Sequence, residues 1–521
     1  MIIKKILYNL KKKSKIRLKK IRILEKFYLF KYNFEKSNLK NSVSSSLIND
    51  LNFNDKNSFS KNIILNYLLA NNFNKFILIT YSLFLYKSAF APLPNVLIKK
   101  INSKFKILNK YFSTFFFLIF IFKCYLSCIQ FFIKINIFFI AKSKINKKNY
   151  KLVYLSSIGD ENFFFEKDTN NIFTWFKKNI FDNKCKYLVI HSNGKYKNDI
   201  TYENLLIKYS KFPFLNSISF KSLIKINFDM IRLLLINLFN LFNLNKHWFD
   251  LMILKEYFIS NCFKYTEFIP RAFYFNNSDY LSRPLWSYLH KNFSIYFYFY
   301  SINYKNIKPS MPYFTYGFKN ANWPFYYLWS ISHLKELQLK INNSFEYKII
   351  SSPISFSDNS HFINKPNTNT ISLFNVQPLA KEYLIDYSLD YHDYYYNENN
   401  LISFYKILIS FIENLGIKCF IKEKRLNNRV SNDYINYINN LKKLSFIEYV
   451  PAECSTLKVI KSSNLVISIP YSSPSIIAKS LNVKSIYFDP TNKLIANNTA
   501  SHGVKIFNKK NIHKVIKKIS L

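Results

Sequence analysis

From residue 151 onward, short apolar runs alternate with longer amphipathic ones, and this alternation constrains the fold more than any other feature. Lys151–Ser156 and Lys186–His191 are apolar runs typical of buried strands, and Ile172–Ile180 between them has helical spacing. Strands that are apolar on both sides need cover on both faces, which helices provide in a parallel sheet. The pattern therefore predicts a doubly wound α/β sheet.

The alternation continues to about residue 341, where a polar stretch rich in Ser, Asn and Asp follows at Ser351–Thr370. Such a composition predicts a linker. Before it we predict strands at Ala272–Phe275 and Ser294–Tyr300, and helices at Ser222–Leu244, Trp248–Cys262, Arg283–Lys291 and Pro324–Ile341, the last with its proline in the first turn.

After the polar stretch the alternation restarts and is cleaner. Gly416 is expected to end a helix at Leu401–Leu415 as its C′ residue. The sequence thus predicts an α/β fold with two tandem Rossmann-like doubly wound domains, 150–352 and 371–521, joined by a linker at 353–370. Strands are predicted at Ile371–Val376, Ile417–Ile421, Phe446–Val450, Asn464–Pro470, Val483–Phe488 and Gly503–Phe507, and further helices at Asn432–Leu444, Ser455–Lys461, Ser475–Leu481 and Asn511–Ile519.

Residues 1–149 are predicted to form a basic, mainly helical region ahead of these domains. Residues 1–150 hold 29 Lys and Arg against 4 Asp and Glu, more than half of the formal net charge of +45. That density suits an anionic membrane surface or a polyphosphate backbone, although codon bias alone also produces a Lys-rich helical appendage. Lys123 and Lys134 interrupt Tyr111–Ile140, the best candidate for a membrane span, so no secure transmembrane helix is predicted.

Several classes of protein are excluded. Six scattered Cys form neither a disulfide framework nor a zinc site, which favours a reducing, cytoplasmic compartment. The Rossmann dinucleotide, P-loop, zincin and serine-hydrolase motifs are absent from the sequence, and its His and acidic residues show no metal-ligand spacing. We therefore expect neither a metal nor a cofactor.

Ligands bind outside the carboxyl ends of parallel strands, so the loops that follow strands are the candidate sites. In the second domain Ser472, Ser473 and Ser475 follow a strand and open a helix, where they are expected either to cap the helix or to hold a phosphate. Lys422, Lys424 and Arg425 follow the strand at Ile417–Ile421 and are candidates to neutralise a diphosphate, or to form a solvated face. Gln377 ends a third strand and is a candidate contact for the same ligand.

In the first domain, Asn276, Ser278 and Asp279 lie between a strand and a helix, where they are expected to cap the helix or to contact a sugar acceptor. Asn277 and Arg283 are further candidate contacts for the acceptor. Asp160, Glu161 and Asp279 are candidate general bases for an acceptor hydroxyl; an exposed acidic loop is the alternative for the first two.

Taken in order, several stretches resemble bacterial surface-carbohydrate (O-antigen or capsule) biosynthesis proteins of the two-domain, GT-B glycosyltransferase type. They are Leu373–Pro378, Tyr394–Asn399, Lys422–Arg425, Ser463–Pro474 and Ser485–Pro490, together with Phe273–Tyr300 in the first domain. The resemblance covers roughly residues 150–521. It departs at Asn375, where the family tends to have Asp.

The resemblance implies a metal-independent transferase whose second domain binds a nucleotide-sugar donor and whose first domain binds a lipid-linked glycan acceptor. It implies a cytoplasmic location, peripheral on the inner membrane. Two alternatives stay open: a non-catalytic partner of the same fold in polysaccharide assembly, and a basic protein that binds nucleic acid or a membrane surface. The sequence contains no recognised nucleic-acid-binding module, so no nucleic-acid partner is expected.

Overall fold

A computed structural model describes seventeen stretches of the chain. They are residues 110–140, 150–163, 171–213, 218–239, 244–266, 269–276, 283–289, 293–302, 323–339, 341, 344–350, 369–378, 395–422, 430–451, 454–492, 494 and 500–520. The basic segment 1–109 and most of the predicted linker lie outside these residues, and so do Asn277, Ser278, Asp279, Lys424, Arg425 and the side chain of Glu161.

The first sheet has eight strands within the described residues, in the order β3-β4-β2-β1-β5-β6-β7-β8. Every neighbouring pair is parallel except β3 with β4. The strands are β1 Lys151–Leu155, β2 Tyr187–His191, β3 Ile200–Tyr202, β4 Leu205–Tyr209, β5 Ala272–Asn276, β6 Ser294–Tyr298, β7 Phe325–Leu328 and β8 Glu346–Ile349.

Helices precede, connect and cover these strands. They are α1 Lys110–Ile140, α2 Ile172–Asn179, α3 Phe220–Phe239, α4 Leu244–Lys264, α5 Trp286–Leu289 and α6 Ile331–Gln338, with a short 3₁₀ turn at Asp160–Phe163. Two buried apolar clusters contain alternate residues of the strands: Val153 and Val189 belong to one, and Leu188 and Phe273 belong to the other. The first sheet is therefore covered on both faces, as the apolar strands predict.

The second sheet has six parallel strands in the order β11-β10-β9-β12-β13-β14. Its strands are β9 Thr370–Phe374, β10 Lys418–Lys422, β11 Ile447–Val450, β12 Leu465–Ser468, β13 Lys484–Asp489 and β14 Ile506–Asn508, and its helices are α7 Glu398–Glu413, α8 Asn432–Leu441, α9 Thr456–Lys461, α10 Ser473–Ser480 and α11 Ile512–Ser520. Counted from its first strand, this order is 3-2-1-4-5-6, the doubly wound Rossmann order. The predicted fold class, two such sheets in tandem, is confirmed.

One predicted helix was wrong. Pro324–Ile341 was expected to be helical throughout, but Phe325–Leu328 forms β7 between β6 and β8, and the helix begins only after Ser330. The Ser330 hydroxyl accepts a hydrogen bond from the His333 amide at 3.2 Å, which caps α6. Three successive aromatic residues suit a buried strand better than a helix, and Pro324 stands just before that strand.

The long helix α1 belongs to the core of the first sheet and is not a separate appendage. Cys128, Phe131 and Ile135 are buried in the same apolar cluster as residues of α3, α4 and β5. Asn136 and Asn227 exchange side-chain hydrogen bonds of 3.1 and 2.9 Å, which join α1 to α3. Among the helices that the structure describes, none combines the length and the apolar character that crossing a bilayer requires.

The two sheets touch through buried contacts. The amide of Ile302, just after β6, donates a 3.1 Å hydrogen bond to the Ser473 hydroxyl at the start of α10. We call each sheet with its helices a unit. Ser330 of the first unit and His502 of the second share a 2.8 Å hydrogen bond. One apolar cluster holds residues of both, among them Trp329 and Ile477. These contacts pack α10 and the loop at His502 against the loops that follow β6 and β7.

Helix α7 ends as the sequence predicts, and this end yields a first testable prediction. Gly416 has φ +62°, and its amide bonds the carbonyl of Glu413 at 3.0 Å. Because an L side chain is strained at this φ, Gly416→Ala should lower the free energy of unfolding by about 1 kcal/mol. Chemical denaturation measures this loss.

Gly194→Ala is the matched control, because Gly194 lies outside the left-handed region. A Cβ added there would have the Tyr209 hydroxyl oxygen as its nearest neighbour, at an ordinary 3.7 Å. We expect a change below about 0.5 kcal/mol in this variant. Equal losses in the two variants would contradict the backbone explanation.

Candidate functional site

Each doubly wound sheet has one point where the strand order reverses, and there a crevice opens outside the carboxyl ends. In the second sheet this point lies between β9 and β12, so the loops 375–378 and 469–473 border it. We call these two loops the second switch point. In the first sheet the reversal lies between β1 and β5, bordered by 156–160 and by the residues after Asn276. We call it the first switch point.

The serines of the second switch point are buried and hydrogen-bonded within the protein. The Ser472 hydroxyl donates to the Ile469 carbonyl at 2.7 Å and makes no cap to the helix, although Ser472 is the N-cap residue of α10. The expected side-chain cap was therefore wrong for Ser472. Ser473 accepts the Ile302 amide of the first unit, and Ser475 bonds Ser468 and the carbonyl of Ile486. Their side chains hold the loop in place, and their role toward a phosphate stays a prediction.

The loop before these serines has an unusual backbone. Tyr471 is 3% exposed and has φ +61°, a conformation that costs a bulky residue of order 1–3 kcal/mol. The Tyr487 hydroxyl donates to the Ser472 carbonyl at 2.7 Å, and the Tyr396 hydroxyl donates to the Pro470 carbonyl at 2.8 Å. These two phenols fix the carbonyls on both sides of Tyr471. They stabilise a strained turn at the place where ligands bind in this class of sheet.

A partly open pocket lies at the carboxyl ends of β9, β10 and β11. Two of the predicted ligand contacts, Gln377 and Lys422, line it, and the Lys422 ammonium donates to the Pro451 carbonyl at 2.9 Å. Because β10 and β12 both pair in parallel with β9, the pocket and the serine loop lie on the same sheet edge. The rest of the lining is Asn375, Val376, Tyr405, Tyr434, Ile435, Ile438, Asn439, Lys442 and Tyr449.

The tyrosines of this lining and Asn439 were missed by the sequence reasoning. Tyr434 and Ile438 lie one turn apart on α8, and their spacing indicates only a buried helix face. Burial raises the pKa of the Tyr405 and Tyr434 phenols, so both are neutral near pH 7. Aromatic walls with a few polar groups suit a planar, hydrogen-bonding ligand.

The first switch point is held together by a buried amide. Asn276, 3% exposed, donates from Nδ2 to the Tyr298 hydroxyl at 3.1 Å and approaches the carbonyls of Ser156 and Ser157 at 3.5 Å. Ser157 has φ +44°, so this loop, like the loop at Tyr471, contains a non-glycine residue in the left-handed region. Arg283 bonds the Ser287 hydroxyl at 2.8 Å, which fixes α5. Contact of Asn276 or Arg283 with an acceptor stays a prediction.

Asp160, a candidate base, lies beside the first switch point. Its carboxylate forms an ion pair with Lys195 and accepts a 2.9 Å hydrogen bond from the side-chain amide of Asn193. Asn193 also donates to the Ile158 carbonyl at 3.0 Å, which ties the loops after β1 and β2 together. The hydrogen bond to Asp160 raises the pKa of Lys195. Asp160 thus has defined partners at a strand end, while its role as a base stays a prediction.

His191, the last residue of β2, is a buried group that the sequence reasoning did not single out. Its Nδ1 accepts a 3.2 Å hydrogen bond from the backbone amide of Asn193, which leaves the proton on Nε2. Burial lowers the pKa of this imidazole from 6.5 to about 4. The ring packs edge-on against Phe163, with centroids 4.6 Å apart. Its position just before Ser192-Asn193-Gly194 was the available signal.

The described residues contain no group of three or more His, Cys, Asp or Glu side chains placed to hold a metal ion. What they define is a protein with two Rossmann-like sheets in contact with each other and a pocket at the carboxyl edge of the second sheet. A family model described as polysaccharide biosynthesis PFTS motif protein matches residues 236–514, more than half of the chain. The chain belongs to this family.

The family's four letters have a counterpart in this chain. Within the matched range the nearest four-residue sequence is Pro470-Tyr471-Ser472-Ser473, with Tyr for Phe and Ser for Thr. This sequence is the strained turn between β12 and α10.

Solved structures that resemble the chain have low identity and low overall superposition. HepE of Anabaena, in complex with UDP and glucose, has 9% identity over 71% of this chain and 89% of its own, with a TM-score of 0.35. A Listeria monocytogenes protein described as a UDP-N-acetylglucosamine 2-epimerase has 8% identity over 71% and 88%, with a TM-score of 0.35.

TarM has 14% identity over 48% of this chain, with a TM-score of 0.27, and the match spans about half, 47%, of TarM. At these scores the likenesses carry no argument about chemistry. Among curated proteins, none matches the sequence.

The hydrogen bond from Tyr487 to the strained turn at Tyr471 yields a second prediction. Tyr487→Phe removes the donor to the buried Ser472 carbonyl and should lower the free energy of unfolding by about 1–3 kcal/mol. Thermal or chemical unfolding measures the change. Tyr347→Phe, at a residue whose side chain is exposed, is the control and should change stability by less than about 0.5 kcal/mol. An unchanged Tyr487→Phe protein would show that the phenol does not hold the turn.

His191 yields a prediction about pH. Because the folded pKa lies below the unfolded one, the unfolded chain takes up a proton first as the pH falls. The free energy of unfolding should therefore fall between pH 6.5 and about 4, by up to about 3 kcal/mol, and this loss should be smaller in His191→Gln. His513→Gln, at an exposed histidine, should behave like the unchanged protein. An identical pH profile in His191→Gln would exclude His191 as the source.

Proposed function

We propose that this polysaccharide biosynthesis protein is a glycosyltransferase that moves a sugar from a nucleotide-sugar donor to a lipid-linked glycan acceptor. The donor would occupy the second switch point and its pocket, and the acceptor would approach from the first. The supporting observation is the convergence at one sheet edge: Gln377 and Lys422 line a pocket on the same edge as the strained serine turn. Parallel sheets of this order bind nucleotides at this edge.

The pocket suits the nucleoside part of such a donor. Tyr405, Tyr434 and Tyr449 offer apolar ring surface, and Asn375 and Gln377 offer amide donors and acceptors. Lys422 at the mouth provides a positive charge, and Lys424 and Arg425 follow it in the sequence. Cations at this position would stabilise the negative charge that develops on a departing nucleoside phosphate.

In the proposed transfer, the bond between the anomeric carbon and the donor phosphate oxygen breaks, and the phosphate keeps the electron pair. An acceptor hydroxyl oxygen forms the new bond to that carbon, and its proton passes to a base. Asp160, Glu161 and Asp279 are the candidate bases. In the sequence the first two follow β1 and the third follows β5. The leaving group is a nucleoside diphosphate or monophosphate.

A lipid-linked acceptor fits the charge of the chain. The excess of cations before residue 150 favours contact with an anionic membrane surface, where such acceptors lie. The proposal therefore includes a cytoplasmic location, peripheral on the inner membrane.

One observation favours a second candidate, a non-catalytic partner in polysaccharide assembly. Ser472, Ser473 and Ser475 are at most 6% exposed, and their hydroxyls already bond to the protein itself. A site whose serines serve only packing would keep the fold and lose the ligand. Binding of a nucleotide sugar separates the two candidates.

The proposal predicts ligand-linked stabilisation. In a thermal-shift panel of UDP-, GDP-, CMP- and dTDP-sugars, at least one should raise the unfolding temperature, since a ligand at 100 times its dissociation constant adds about 2.7 kcal/mol. Lys422→Met and Gln377→Ala should each weaken the binding of that nucleotide sugar at least tenfold by calorimetry, because both side chains line the pocket.

Lys424→Ala combined with Arg425→Ala should abolish transfer to a membrane lipid extract and leave the unfolding temperature unchanged.

Lys418→Met is the matched control, because Lys418 starts the same strand, at its opposite end, and pairs with Glu448 on the surface. It should bind the nucleotide sugar like the unchanged protein. If no nucleotide sugar stabilises the chain, the transferase proposal fails and the non-catalytic candidate is supported.

A further inference from the structure

Two helices of the first unit carry apolar side chains that point away from the core. On α1 the residues Phe122, Leu126, Ile129, Ile133 and Ile137 are 40–65% exposed. On α3 the residues Phe220, Ile224, Phe228, Ile231, Leu235 and Leu238 are 46–67% exposed. The spacing of three and four residues places each set in one stripe along its helix.

The two stripes form one surface. Phe139 contacts Phe220 with ring centroids 6.3 Å apart, and Asn136 bonds Asn227, so α1 and α3 run antiparallel. Ile133 lies one turn from Asn136, and Ile224 lies one turn from Asn227. The stripes therefore lie along the two sides of the Asn136–Asn227 contact. At 1.5 Å per residue the helices are roughly 46 and 30 Å long. We call this surface the two-helix apolar face.

Cations lie along the outer edges of the two-helix apolar face. On α3, Lys221, Lys225 and Arg232 are exposed on the side of the stripe away from α1. On α1, Lys134 is exposed on the corresponding outer side. Helix α1 contains no Asp or Glu in its sequence. The one acidic residue of α3, Asp229, accepts a 2.8 Å hydrogen bond from the Tyr265 hydroxyl.

An apolar centre with a cationic rim matches a bilayer that contains anionic lipids. Apolar side chains enter the boundary between headgroups and acyl chains, and cations at the rim meet the phosphates. A symmetric pair of two such faces would set cation against cation. Segment 1–109 carries 22 Lys and Arg against 4 Asp and Glu, so its net positive charge would be repelled by the cations of the rim. Of the three occupants, only the anionic membrane complements both features.

We propose that the two-helix apolar face of α1 and α3 lies in the surface of an anionic membrane and so attaches the protein to it. The attachment does not depend on the proposed transfer reaction, because no residue of the face belongs to either switch point. It brings the first unit, where an acceptor would bind, to the layer in which lipid-linked molecules reside.

The test is flotation of the full chain with vesicles of phosphatidylglycerol and phosphatidylcholine. Ile133→Glu combined with Phe228→Glu introduces charge at two exposed positions in the centre of the face. Binding should fall at least tenfold, because a carboxylate is excluded from the interface. Near 1 M salt, where surface charges are screened, the loss should persist, and this separates the apolar contribution from that of the basic segment.

The matched control is Ile331→Glu combined with Leu339→Glu, which makes the same changes at exposed residues at the start and just beyond the end of α6. Vesicle binding should stay within twofold of the unchanged protein. Should the glutamate variant fail to fold, Ile133→Gln with Phe228→Gln replaces it, and circular dichroism checks each variant. Vesicle binding by either face variant equal to that of the control overturns the proposal.

The rim gives an independent measurement. Lys221→Gln combined with Lys225→Gln should reduce binding to phosphatidylglycerol vesicles about 25-fold at low salt, near fivefold per cation, and leave binding to pure phosphatidylcholine unchanged. Sedimentation tests the other two occupants. A lipid-free dimer that the Ile133→Glu, Phe228→Glu variant dissociates, or a loss of stability in that variant without a loss of vesicle binding, would overturn the membrane assignment. Nucleotide-sugar binding should be the same in all of these variants.

Discussion

Parallel pairing around a central strand is the constraint on which the rest of this structure depends. Because β9 pairs in parallel with both β10 and β12, loops that are almost fifty residues apart in the chain end at one edge. The same holds for β1 with β2 and β5 in the first sheet. The candidate residues need no local motif to converge. Their convergence follows from the strand order alone, which explains why a chain without the usual glycine signatures still forms a crevice.

The sequence predicts all six strands of the second sheet, but of the eight strands described in the first sheet it predicts only β1, β2, β5 and β6, and it predicts the destinations of side chains poorly. Buried strands such as β12 are apolar throughout, so local periodicity identifies them. The Ser473 hydroxyl accepts a hydrogen bond from the amide of Ile302, which is 171 residues away. No local sequence pattern contains that information. The mistaken helix at Pro324 has a similar cause, because a proline precedes helices and strands alike and the neighbours β6 and β8 decide which forms. Sequence located the candidate loops, but it did not reveal that the serines are buried.

The burial of the serines changes what the second switch point offers a ligand. With its hydroxyls engaged, the turn at Tyr471 contributes a fixed backbone, held by the phenols of Tyr396 and Tyr487. A preformed backbone keeps its amide directions without the side-chain entropy cost of ordering serines on binding. Ser157, after β1 at the reversal point of the first sheet, also has a positive φ, as do four described non-glycine residues away from the two reversal points.

The contact between α1 and α3 links the fold to the proposed membrane face. Asn136 and Asn227 satisfy each other's amides at the middle of an otherwise apolar surface. Both side chains are part-buried, and any sliding of the helices would break both hydrogen bonds. The pair therefore fixes the register in which the two stripes stand side by side. An apolar partner alone would tolerate a shift by one turn, so the polar contact is what makes one continuous face out of two helices.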